Sequence, residues 1–174
     1  NPLNIRPIWG DDALYVTNTV IEVATAETDE DQAKKLIDEI IKQRKNYKGS
    51  GRPVAYLGTD VLTMFRLIKD SQGYRRYKTD QELADDLRAA KIVEVELFDG
   101  LSRTDASKTY YLGAVLVNLM DYTLGADKGG EVTNFEDFDI DFNKHKYLIE
   151  TRVSGALTKP KSALTFEFNK VTKG

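Results

Sequence analysis

The sequence predicts a mixed α+β fold in which helices dominate the first half and strands the second. Three observations support this prediction. A segment rich in β-branched and aromatic residues comes first, and three segments with helical periodicity follow, with one short apolar strand among them. Alternating apolar and polar residues then recur through the second half. This order of elements favours an α+β domain over a doubly wound parallel sheet.

The first elements are an irregular segment, a strand and a long helix. Residues 1–12 contain two prolines and are expected to be irregular. The residue types in 14–23 predict a strand. Thr28 and Asp31 resemble a capping box at the start of the helix, and apolar residues continue with helical spacing up to the glycines of 49–53, which end it.

A buried strand and two shorter helices are predicted next. Residues 54–57 are apolar enough for a buried strand. The first helix covers about 59–69 and ends in the turn residues of 70–73. Thr79 and Glu82 form a full capping box for the second helix.

The rest of the chain is predicted to consist mainly of strands. Their ranges are 92–97, 110–119, the alternating stretch that begins at 134, and 163–171. In the alternating stretch, three aspartates (Asp137, Asp139 and Asp141) interleave with Phe138, Ile140 and Phe142, which predicts an amphipathic strand. Pro160 keeps the turn at 159–161 out of any sheet interior.

Composition excludes several classes of site. The 174 residues are enough for one domain, or one domain with an arm, and the absence of cysteine excludes disulfides and thiolate zinc sites. A net charge of -3 gives no broad attraction to nucleic acid. No apolar run approaches the ~20 residues of a membrane helix. No signal peptide opens the chain, so a cytosolic product is expected, and because residue 1 is Asn we expect a processed product or an excised fragment.

The search for catalytic and metal-binding residues predicts neither kind of site. The single histidine, His145, lies between two lysines and is interpreted as a solvated turn residue. Ser154 has no G-x-S-x-G spacing around it. The alternating aspartates could hold a divalent cation, but such residues more often form the solvent-exposed face of a half-buried strand. We therefore expect no enzyme activity, no cofactor and no metal.

Basic and aromatic residues gather between 74 and 78, in the order Tyr-Arg-Arg-Tyr-Lys. Interleaved arginine and tyrosine could stack on nucleic-acid bases, and the segment could equally bind a small ligand or form a protein–protein contact. The acidic character of the rest of the chain favours the protein–protein contact. A nucleic-acid or ligand binding module that uses Tyr74–Lys78 is the alternative hypothesis.

Three blocks of the sequence resemble a known family. Residues 54–77 are similar to a strand, a turn and an amphipathic helix that ends in a Lys-Asp-x-x-Gly-x-Tyr pattern. Lys69 to Tyr74 match this pattern, except that Tyr74 follows Gly73 directly. In residues 138–168, Glu150 and Arg152 precede small residues, Lys159-Pro160 and a final apolar strand. Residues 108–125 fit the strand pair between these blocks. In this order they resemble the C-terminal part of tailed-bacteriophage major capsid proteins of the Hong Kong 97 type, over most of residues 28–174.

The resemblance implies a domain organisation. Residues 1–20 would be a lead-in segment, and 21–128 would form the axial domain, a mixed sheet flanked by helices. Residues 129–153 would supply strands of the peripheral domain, and 154–174 a closing strand that returns to the axial domain. The family's N-terminal arm, extended loop and spine helix lie upstream of these segments and are absent from this sequence, so we expect the peripheral domain to be incomplete.

The resemblance also implies a function and partners. The chain would be a structural subunit of a phage or prophage capsid shell, made in the bacterial cytoplasm and assembling into hexamers and pentamers around the genome. Its partners would be copies of itself, with scaffold and portal proteins as further candidates. Packaged DNA would be contacted only indirectly, and no membrane would be involved.

Two sets of site residues follow. Some family members cross-link a loop lysine to an asparagine with the help of a glutamate, and Asn143 and Glu150 occupy the matching positions. Most members do not cross-link, and the loop lysine lies outside this chain. Otherwise Asn143 is a turn residue and Glu150 pairs with Arg152 or with a basic residue of a neighbour. The predicted assembly contacts are basic residues of the turn and acidic residues of the helix after it: Arg75, Arg76, Lys78, Asp85 and Asp86.

Overall fold

The computed structural model describes residues 5–24, 26–105, 108–126, 133–139, 144–150 and 153–169. The helices are α1 (Asp29–Gln43), α2 (Thr59–Leu67) and α3 (Asp80–Asp86). The strands are β1 (Val16–Glu22), β2 (Val54–Leu57), β3 (Ile92–Glu94), β4 (Ser102–Asp105), β5 (Lys108–Val117), β6 (Tyr122–Ala126), β7 (Thr133–Asp139), β8 (Lys144–Glu150), β9 (Val153–Leu157) and β10 (Ala163–Asn169). Short 3-10 segments cover Arg44–Asn46, Glu96–Phe98 and Leu119–Asp121. The predicted α+β class is confirmed.

The main sheet has six strands and mixed direction. Its order is β1-β10-β5-β2-β3, and β4 pairs with the first part of β5. β10 runs parallel to β1 and antiparallel to β5, whereas β2 runs parallel to β3. The last strand, β10, therefore lies between the edge strand β1 and β5.

β10 is buried on both faces. The sequence alternation of Leu164, Phe166 and Phe168 with Thr165 and Glu167 is typical of a half-exposed strand, yet all five side chains are buried. The reason is that β10 is an inner strand covered from two sides. One core cluster contains α1, α2 and α3 with Phe166, and a second lies over Val115 and Leu157 on the other side.

Two small antiparallel sheets complete the fold. β6 pairs with β9, and β7 pairs with β8. The lead-in segment reaches the first of these sheets, because Ile5 bridges to Gly155 and the Arg6 N–H donates to the Gly155 carbonyl over 2.7 Å. The prediction for His145 is half right: its side chain is exposed, but it lies in β8 opposite Phe138 and not in a turn.

The helix and strand limits agree with the sequence at some ends and differ at others. Thr28 and Asp31 form the reciprocal capping box of α1 as predicted. At α3, Thr79 accepts from the Glu82 N–H, but the Glu82 carboxylate accepts from the N–H of Lys78, so the second half of that box is displaced by one residue. β3 ends at Glu94, three residues before the predicted limit, because a 3-10 segment begins at Glu96. None of the described helices combines the length and the apolar character needed to span a membrane.

Candidate assembly surface

The basic turn after α2 is ordered by one aspartate. Asp70 Oδ1 accepts hydrogen bonds from the backbone N–H groups of Gln72 (2.8 Å) and Tyr74 (2.9 Å). Lys69 and Arg75 then form a short antiparallel bridge, and Gly73 supplies the positive φ of 86° that closes the turn. The turn therefore presents Tyr74 and Arg75 to solvent from a fixed backbone.

Two of the predicted contact residues pair with each other inside the chain. Arg76 Nη2 lies 3.4 Å from Asp86 Oδ2, and the same oxygen accepts a hydrogen bond from the Tyr77 hydroxyl. Burial, and then this hydrogen bond, raise the pKa of Tyr77 well above its ordinary value. The Arg76–Asp86 pair thus fixes the turn against α3.

Further pairs connect α3 to its neighbours. Arg66 at the end of α2 binds Asp80 with two guanidinium nitrogens at 3.3 Å (Nε) and 3.0 Å (Nη2). Arg52 Nη1 lies 3.7 Å from Asp85. These pairs are exposed, so each contributes little to stability, although together they determine which charges of this surface stay unpaired.

A cleft of about 280 Å³ opens between the turn and the start of α3. It is lined by Arg66, Arg75, Tyr77, Lys78, Thr79, Asp80 and Leu83, and we call it the basic cleft. Tyr77 and Leu83 are buried and form its apolar floor. The three cations and one carboxylate of its lining give a formal charge of +2. Arg75 and Lys78 supply this excess, since neither side chain has an ion-pair partner in the described part of the chain.

A wider and shallower depression adjoins the basic cleft. It is lined by Arg76, Tyr77, Lys78, Glu82, Asp85 and Asp86, two cations and three carboxylates. The predicted contact residues therefore lie around two adjoining concavities that share Tyr77 and Lys78. The carboxylates belong mainly to the wider one.

A buried ion pair that sequence reasoning missed joins the main sheet to the lead-in segment. Glu167 is only 1% exposed and accepts from Arg103 Nε (2.9 Å), Arg103 Nη2 (2.7 Å) and Trp9 Nε1. Burial acts to raise the pKa of Glu167, but the hydrogen bonds from Arg103, Trp9 and Asn18 outweigh it and hold that pKa below its ordinary value. No local pattern indicates this pair, because Glu167 alternates with apolar residues as an exposed residue would.

A second buried carboxylate holds the loop after α1. Asp121 accepts from the Ser50 backbone N–H and from the Ser50 hydroxyl, both at 2.6 Å. Lys159 Nζ lies 3.3 Å from the same hydroxyl, and the Asp121 carbonyl accepts from the N–H of Thr158 at 3.0 Å. Both carboxylate oxygens are thus occupied by Ser50, so the cluster joins the loop to the turn before β10.

The remaining predicted site residues lie outside the described residues or are described only in their backbone. Asn143 is outside the described residues, and Glu150 is the last residue of β8, where it pairs with Thr133. In the described ranges, no three His, Asp or Glu side chains group as metal ligands would.

Comparisons of sequence find no match, whereas comparisons of structure find chains with a similar fold. No protein-family model matches the chain, and no curated protein matches it. The mature capsid of bacteriophage PhiM1 is similar with a TM-score of 0.55 and 11% identity, over 89% of this chain and 52% of that one. A virus-like particle from Pyrococcus furiosus is similar with a TM-score of 0.52 and 10% identity, over 91% of this chain and 58% of that one.

A third structure shows the same relationship. The capsid of an empty GTA particle is similar with a TM-score of 0.51 and 11% identity, over 91% of this chain and 56% of that one. The chain thus spans a little more than half the length of the three chains it matches. At these identities the likeness concerns the fold, and the chain has the Hong Kong 97-type capsid fold.

Proposed function

We propose that the chain is a structural subunit of a phage or prophage capsid shell and acts by binding copies of itself. The observation that carries the proposal is the fold, which matches two capsid structures and a virus-like particle over 89–91% of the chain. Fold alone does not define activity, so the proposal also depends on the surfaces that the chain exposes.

The β7–β8 ribbon supports a role in assembly. Two-stranded sheets are marginally stable in water by themselves. The side chains described on this ribbon, Glu136, Lys144, His145 and Tyr147, are all exposed. A ribbon of this kind gains stability when another surface covers it, and a neighbouring subunit would provide such a surface.

The finer parts of the proposal concern the assembled state. We assign residues 21–128 to an axial domain, 129–153 to peripheral strands and 154–174 to a closing strand that returns to the axial domain. Subunits would form hexamers and pentamers, with scaffold and portal proteins as further partners. The chain would be made in the bacterial cytoplasm and reside in the virion.

The test is self-association of the purified chain. Sedimentation velocity over a concentration series up to ~1 mM, the range in which weak contacts of about -4 kcal/mol become visible, should show oligomers that grow with concentration. Negative-stain microscopy of the same samples should show rings. A chain that stays monomeric throughout the series would contradict the proposal.

The alternative is a nucleic-acid or ligand binding module at Tyr74–Lys78. The exposed side chains of Tyr74, Arg75 and Lys78 favour it, but Tyr77 is buried and Arg76 is paired with Asp86, so fewer groups can stack on bases than the sequence suggests. Binding of labelled single-stranded DNA at two salt concentrations distinguishes the hypotheses. Tight binding that weakens steeply with salt would support the alternative.

A further inference from the structure

An acidic, apolar-tipped projection lies at the other end of α2 from the basic cleft. Leu97 is 81% exposed, and Glu94 and Glu96 beside it are exposed without an ion-pair partner among the residues that the structure describes. We call these three residues the acidic knob. Counting only the described residues, the knob has two unpaired carboxylates, Glu94 and Glu96, and the basic cleft has two unpaired cations, Arg75 and Lys78.

The knob is held rigidly on the main sheet. The Val95 N–H donates to the Leu57 carbonyl over 2.8 Å. Asp99, two residues after Leu97, accepts from the N–H of Thr59 at 3.0 Å and so caps the start of α2. Leu97 is therefore exposed on an anchored segment, which lowers the entropy lost when a partner binds it.

The cleft and the knob cannot satisfy each other within one copy. The knob is anchored at Thr59, the first residue of α2, and the cleft includes Arg66 in its last turn. Seven helical residues separate the two by about 10 Å along the axis. Two complementary but different patches on one chain form a heterologous contact, which every copy can repeat to close a ring.

From this arrangement we infer that the acidic knob of one copy binds in the basic cleft of the next copy. Leu97 enters above Tyr77 and Leu83, while Glu94 and Glu96 face Arg75 and Lys78. The cleft volume of 280 Å³ is below the ~300–1,000 Å³ typical of small-molecule sites, which suits a single side chain. The inference rests on the proposed function and specifies the contact by which copies associate.

Charge reversal on each side tests the contact. R75E/K78E makes the cleft acidic, and E94K/E96K makes the knob basic. We expect each variant alone to associate at least about tenfold more weakly than the unaltered chain. An equimolar mixture should recover association, because each altered surface then meets a complementary one on the other variant. The recovered complex should alternate the two variants and weaken at high salt.

Matched variants keep the test specific. K45E/K48E changes charge by the same amount as R75E/K78E at exposed lysines outside both surfaces, and it should associate like the unaltered chain. Far-ultraviolet circular dichroism and thermal melting establish that each variant is folded. Since the chain has no cysteine, K78C and L97C variants can also be mixed under oxidising conditions. A disulfide dimer should form that contains one copy of each variant.

The outcomes separate this inference from the proposed function. If the unaltered chain does not associate at all, the proposed function fails, and this contact with it. If the unaltered chain associates and both charge-reversed variants do so equally well, the knob-in-cleft contact is refuted while self-assembly stands. A mixture that fails to recover association, or that forms no mixed disulfide dimer, also refutes the contact.

Discussion

Replacing Arg103 by Met should destabilise the chain by about 3 kcal/mol. Met keeps most of the aliphatic length but removes the guanidinium, so the buried Glu167 carboxylate loses both of its charged hydrogen bonds. Removing one partner of a buried ion pair costs ~3–5 kcal/mol. Arg103 is 37% exposed, and water partly screens the pair, so we expect the lower end of that range.

The assay is thermal unfolding followed by the fluorescence of Trp9, the only tryptophan in the chain, whose indole N–H binds the same carboxylate. For a chain of this length, 1 kcal/mol corresponds to ~2–4 °C, so Tm should fall by ~6–12 °C. The matched control is R103M/E167Q, in which the amide still accepts from Trp9 and no charge is buried. It should lose about 1 kcal/mol only.

The difference between the unaltered chain and R103M should depend on pH. The pKa of Glu167 is depressed in the folded chain, so its stabilising contribution is present above the unfolded pKa and disappears as pH falls through the folded value. R103M removes the Arg103 contribution that opposes burial. The Glu167 carboxyl of R103M should therefore protonate at a higher pH, which relieves the cost of burying an unpaired charge. The stability difference between the unaltered chain and R103M should therefore begin to narrow above the ordinary glutamate pKa of ~4.3, where the R103M carboxyl protonates, and should narrow further below it, where the unaltered chain loses its ion pair. A shift in Tm under ~2 °C for R103M near neutral pH, or a double variant less stable than the single one, would refute this account.

Three further substitutions test the packing and capping of the fold by denaturant unfolding. Thr28→Ala removes the hydroxyl that accepts from the N–H of Asp31 at the start of α1, and should cost about 1 kcal/mol, whereas Thr28→Ser should cost little. Asp121→Ala leaves the Ser50 N–H without its acceptor and should cost ~1–3 kcal/mol; a value near zero would mean that water replaces the carboxylate. Gly113→Ala would place a methyl 2.5 Å from Phe168 Cε2, so we expect ~1–3 kcal/mol from overpacking, and no loss would show that the ring can move.

Local sequence signals predicted the elements whose causes are local. The capping pair at Thr28 determines where α1 begins, and the apolar run of β2 matches the observed limits Val54–Leu57. The resemblance in residue order also predicted the capsid fold, which the comparison with solved structures supports despite identities of 10–11%. Periodicity and caps act within a few residues, so one sequence is enough to detect them.

The features that sequence reasoning missed depend on residues far apart in the chain. The alternating pattern around Glu167 predicts an exposed side chain. Its partners Arg103 and Trp9 lie 64 and 158 residues away, so no local pattern shows that they cover it. In the sequence, Arg76 belongs to a basic segment and Asp86 to an acidic helix. Only the fold shows that the two side chains pair. The charges that stay unpaired, and hence the candidate contact surface, could be identified only after these internal pairs were known.

The position of β10 has a consequence for synthesis of the protein. Its partner β1 lies 147 residues earlier, and without β10 nothing bridges β1 to β5 in the main sheet. The main sheet therefore cannot be completed, and part of its apolar surface stays exposed, until residues 163–169 have left the ribosome. Copies that stall or are cut before that point would lack an inner strand and would aggregate or be degraded, so only completed chains would be available to bind one another.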